Sequence, residues 1–143
     1  MRLVLLVLAV FGVIGLSGCS GSGEAEPSVD EALAFTGLVV PQGSEVVAFD
    51  AEHGIDSRYR LAVAVNADAV DRLLADSQFS APLEQGRAAI QASLPQVSIG
   101  TDIASATDEL PPGPGRPTEA HRELLLDRSN PARPVIHVWA FTT

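Results

Sequence analysis

Lysine is absent from this chain. All nine basic residues are arginine, set against 18 acidic ones, for a net charge of −9. A net charge this acidic argues against nucleic-acid partners, which need a basic surface to displace counterions. It also gives no electrostatic hold on anionic lipid, so attachment to a membrane needs another device. There is one cysteine, Cys19, so no disulfide can close within the chain. Aromatic residues make up 5%, with one Trp and one Tyr. So small a supply is expected to serve the core, with Tyr59, Trp139 and Phe141 facing inward rather than lining a pocket. No G-x-S-x-G elbow, phosphate loop or G-x-G-x-x-G turn is present, and S-x-x-K is ruled out with lysine. No cofactor is expected.

What is present is 143 residues, 46% apolar, enough for one domain with a core that needs no covalent staples. The start has its own layout. Met1 and Arg2 precede a nearly pure apolar run from Leu3 to Gly15. A short basic start followed by such a run is the pattern of a secretory signal peptide. The run falls short of the roughly 20 apolar residues of a transmembrane helix.

Leu16-Ser17-Gly18-Cys19 resembles the lipobox of bacterial lipoproteins: a branched apolar residue, two small ones, then cysteine. The resemblance implies cleavage after Gly18 and a diacylglycerol on the Cys19 thiol. Two or more acyl chains anchor a protein stably where one does not. Residues 1–18 are then the signal peptide, and 19–34 the lipidated cysteine with a flexible acidic tether rich in Gly and Ser. Residues 35–143 form the domain. The chain is also similar to small lipoproteins of GC-rich Gram-positive bacteria, notably over "GIDSRYRL" and "DRSNPARPVIHVWAFTT". That similarity implies a location on the outer face of the cytoplasmic membrane and brings no activity with it.

Within the domain, period-two alternation marks strands. Glu45 to Asp50 reads as one, and Ser57 to Val65 as the clearest, with Tyr59, Leu61, Val63 and Val65 on one face. "NADAVDRLLADS" reads as a short helix, with Asn66 as its N-cap and Val70, Leu73 and Leu74 inward. Ser80 to Pro95 reads as a second, weaker helix with Leu83, Ile90 and Leu94 inward, and Gln96 to Pro117 as mostly loop. The C-terminal stretch reads as strand, tight turn at Asn130-Pro131, strand. His137, Trp139 and Phe141 share one face, while Ile136, Val138 and Ala140 share the other. A competing reading makes Thr118 to Asp127 a helix. The expected fold is α+β, a small antiparallel sheet in ββα(α)ββ order with one or two helices on one face.

The densest polar cluster is "DAEHGIDSR". Asp50, Glu52, His53 and Asp56 place three carboxylates and an imidazole on one hairpin loop, a donor set that suits a divalent cation. The plainer reading is a solvated loop in an acidic protein. His121 and His137 are isolated in sequence, and Asp127 could face His137 across the C-terminal hairpin. Three functions follow. The first is a membrane-anchored, non-catalytic interaction module contacting another envelope protein. The second is a lipoprotein that binds a small ligand or cation. The third is a small hydrolase using His137 or His53.

Overall fold

In the computed structural model, residues 26–89 and 91–142 are described. Cys19, the apolar run before it and Ile90 lie outside them.

Helix α1 (Val29–Thr36) opens the described chain, inside the stretch expected as tether. Its start is a Ser-x-x-Glu capping pattern: the Ser28 hydroxyl accepts the Glu31 N–H at 3.1 Å. Its end is Gly37, at φ 64, a left-handed position where a side chain would be strained. Ala32 and Phe35 point into the core and are almost fully buried. That burial, together with the caps, makes residues 29–34 part of the domain rather than linker.

Strands β1 (Glu45–Glu52) and β2 (Arg58–Ala64) form the expected hairpin. A 3₁₀ turn, Ala67–Ala69, leads into α2 (Val70–Asp76). Asn66 does not cap with its side chain, which instead accepts a hydrogen bond from Arg133 at 3.0 Å. The second expected helix is not formed. Residues 84–85 make a two-residue strand, β3, and Gly86 at φ 73 is incompatible with a continuing helix. The region expected as loop holds β4 (Ile103–Leu110), whose inward side chains are Ala104, Ala106, Asp108 and Leu110. Then come β5 (Ala120–Asp127) and β6 (Val135–Thr142), so the helical alternative for Thr118 to Asp127 falls.

The fold is α+β. The six strands are antiparallel in the order β1-β2-β6-β5-β4-β3, so the C-terminal strand is interior, as its two apolar faces require. The element order is αββαββββ rather than ββα(α)ββ. Both helices pack on one face, over Tyr59, Leu61 and Val63 of β2 and Ile136, Val138 and Ala140 of β6. Each strand sends alternate residues to this helical face and to the opposite one.

One charged residue is central to the helical face. Arg122 of β5 is 1% exposed. Its guanidinium makes two hydrogen bonds to Asp108 of β4, at 2.8 and 2.6 Å. It also donates to the carbonyls of Thr36 and Ser77, at 3.2 and 3.1 Å, just where α1 and α2 end. Helix C-termini carry unpaired carbonyls and partial negative charge, so a buried cation there satisfies both. Arg116 takes the carbonyls of Ala34 and Phe35 in the same way.

Candidate functional site

The opposite face is only half covered. The register lines up three rows of side chains across it. The first runs Ala48, Ala62, His137, Leu125, Ser105. The second runs Asp50, Arg60, Trp139, Glu123, Thr107, and the third Glu52, Arg58, Phe141, His121, Glu109.

Residues 87–89 and 91–99 lie across the first row. Ala89 and Ala92 pack on Leu125, with Ile99, Ile103 and the near side of Trp139 against them. Two hydrogen bonds pin this strap beside the indole: Glu123 accepts the Ala92 N–H at 3.2 Å, and Arg60 donates to the Ser93 carbonyl at 3.5 Å. Beyond that line the sheet is open.

On the open part Trp139 and Phe141 stack, with ring centroids 4.3 Å apart and planes 26° from parallel. His121 meets the edge of Phe141 at 5.3 Å. All three are half-buried. Trp139 and Phe141 were expected in the core; they stand instead on this partly uncovered face, while Tyr59 is buried against Phe35. The larger core cluster is filled by aliphatic side chains and a second one takes Phe35 and Tyr59, so Trp139 and Phe141 are left on the other face.

Charge frames the stack on both sides. Arg58 pairs with Glu52, and Arg60 lies 3.9 Å from both Asp50 and Glu52. On the other flank the His121 Nδ1 is 2.8 Å from Glu109. The Nε of Arg60 is buried without a hydrogen-bond partner. Four carboxylates face two guanidiniums here, so the frame is net acidic.

The hairpin-loop cluster does not converge. Alternation along β1 turns Asp50 and Glu52 to the open face, where arginines hold them. It turns His53 to the helical side, edge-on to Tyr59 at 5.4 Å and 3.8 Å from Glu31. Asp56 is exposed at the hairpin tip. Among the described residues no group of three or more His, Cys, Asp or Glu could hold a metal ion.

The His137–Asp127 pair is not made either. Asp127 sits opposite Val135 and spends its oxygens on the backbone N–H groups of Gly100, at 2.6 Å, and Ser129, at 2.9 Å. Burial opposes its charge, but the bonds from Ser129 and Gly100 prevail and leave its pKa below the usual carboxylate value. His137 is fully buried with neither ring nitrogen bonded. Burial lowers its pKa, with the Asp127 charge opposing, so the ring is neutral.

Nothing local in the sequence marks Glu109, Glu123 or the two β2 arginines as site residues. The one available signal was the alternation that puts Arg58 and Arg60 on a single face of β2. Among the described residues no helix is long and apolar enough to cross a membrane. Comparison with protein-family models, curated proteins and solved structures finds no match.

Proposed function

We propose that this protein is an exported lipoprotein, anchored through lipid on Cys19, whose domain is a non-catalytic module that docks another component of the cell envelope. The docking surface is the uncovered part of the sheet: Trp139, Phe141 and His121 with the charged pairs beside them. The observation that carries the reading is the stacked Trp139–Phe141 pair left half-exposed between two rows of charge. Aromatic anchors inside a polar rim are the composition favoured at protein interfaces. The lipobox-like Leu16-Ser17-Gly18-Cys19 supports the anchor and the location on the outer face of the cytoplasmic membrane.

The test is site-specific photocrosslinking in intact cells, with a photoreactive residue at Phe141 and a control at Asp68 on the helical side. One partner captured at Phe141 but not at Asp68, and lost on Trp139→Ala, is the expected result. Equal capture at both positions would overturn the docking surface. An intact mass without lipid on Cys19 would overturn the anchor independently.

A further inference from the structure

A second site lies on the helical face, remote from the open part of the sheet. Val70 and Leu74 of α2 face Leu83, Leu126 and Pro134 across a cavity of about 310 Å³. Small-molecule sites start at roughly 300 Å³, and a cavity of about 150 Å³ already holds benzene. The floor belongs to the main core: Leu126 and Val70 are buried there, while Leu74 and Leu83 are only partly covered. These apolar walls therefore present surface that no residue of the domain fills.

The rim carries Asp71, Asp102 and Arg128. Arg128 lies 3.7 Å from Asp102, so those two charges offset each other. Asp71, exposed in the first turn of α2, has no ion-pair partner among the described residues. The mouth is left with one uncompensated negative charge above an apolar floor, on a protein of net charge −9. A field of that sign concentrates cations at the surface.

We propose that this cavity binds a small amphiphilic cation: an aromatic or aliphatic body on the Val70–Leu74–Leu83–Leu126 floor, and an ammonium or guanidinium head at Asp71. Neither anionic nor purely polar ligands suit it. A carboxylate would meet Asp71, and a polar body would leave the leucines without partners.

The experiment is calorimetric titration of the full chain in nanodiscs of neutral lipid, with empty nanodiscs subtracted. The probes are phenethylammonium, phenylethanol and phenylpropionate, alike in size and different in charge. Phenethylammonium should bind with Kd below about 1 mM, ahead of the alcohol and well ahead of the carboxylate. Asp71→Asn should weaken the ammonium about threefold to fivefold, the scale of an exposed ion pair, and leave the alcohol unchanged. Leu74→Trp should abolish binding by filling the cavity. Leu83→Trp does the same from the opposite wall, should the first variant misfold. Binding of the carboxylate as tight as the ammonium, binding that survives both tryptophans, or no binding of the ammonium would each overturn the proposal.

Discussion

Arg122→Met tests how the two layers are joined. Methionine keeps most of the side-chain length and packs well, so the variant removes charge and hydrogen bonds rather than bulk. Arg122 is 1% exposed, and Asp108 across from it is 11% exposed. Removing the guanidinium leaves the Asp108 carboxylate in the interior without its cation. It also leaves the carbonyls of Thr36 and Ser77 unpaired, and strips the cation from above the Phe79 ring, 4.8 Å away. Breaking a buried pair from one side costs about 3–5 kcal/mol, chiefly through the stranded charge. Each unpaired buried carbonyl adds about 1 kcal/mol or more where water cannot reach it. A total of about 5–7 kcal/mol is expected, a large part of the roughly 5–15 kcal/mol of a typical domain. Urea unfolding followed by far-UV circular dichroism and by the single tryptophan reads it. Asp108→Asn in the Arg122→Met background should recover about 1–3 kcal/mol, because it neutralises the stranded charge. A loss under about 1 kcal/mol for Arg122→Met, or two substitutions that simply add, would refute the reasoning.

Other substitutions probe the remaining features. His137 must stay neutral in the fold, and its pKa lies below 6.5. The unfolded chain takes up the proton first, so its contribution to stability is present above pH 6.5 and is lost as pH falls from there towards the folded pKa. Urea midpoints between pH 5 and 7.5 should fall with acid in the wild type and flatten in His137→Leu, which at neutral pH should match or exceed the wild type because it removes two unpaired nitrogens. A slope unchanged in His137→Leu would assign the acid sensitivity elsewhere. Tyr59, the chain's one tyrosine, has its pKa raised by burial and by Glu31, the acceptor of its hydroxyl. Absorbance at 295 nm should therefore show no phenolate at pH 10 while the fold persists, and half-ionisation there would contradict the buried geometry. A Cβ at Gly100 would collide with the side chain of Ser129. Gly100→Ala should cost about 1–3 kcal/mol in urea unfolding, as overpacking does, and should cost much less in a Ser129→Gly background if that contact is the cause.

Parts of the chain announced themselves. In β2 and β6 the alternation groups Tyr59, Leu61 and Val63, and likewise Ile136, Val138 and Ala140, on one face from period alone, but with both faces of β6 apolar it does not say which one the helices cover. The α2 stripe was legible for the same reason. The Ser28-x-x-Glu31 cap and Gly37 were equally local signals for α1, but the acidic, Gly/Ser-rich neighbourhood gave them the look of a linker. Strand β4 was hidden because its inward residues are Ala104, Ala106, Asp108 and Leu110, and no hydropathy pattern marks an aspartate as buried. It pairs with β5, and Arg122 from that strand holds the aspartate on the covered face. The 80–95 stretch misled in the opposite sense. Its spacing suited a helix, yet Ala89, Ala92 and Leu94 are buried in a strap laid across the sheet.

The sequence by itself determined which residues point to the same side of their own strand or helix, because that depends only on backbone period. It determined the acidic charge as well, and that no disulfide closes within the chain. Which strands became neighbours was decided by the tertiary structure alone. The order β1-β2-β6-β5-β4-β3 brings Arg60 from β2 and Glu123 from β5 to either side of Trp139, and puts Asp108 against Arg122. Such pairings depend on which long loops close and which buried faces match, and no local period encodes either. The open face and the cavity under α2 exist only at that level, since each is made by side chains distant in sequence that share one surface after folding.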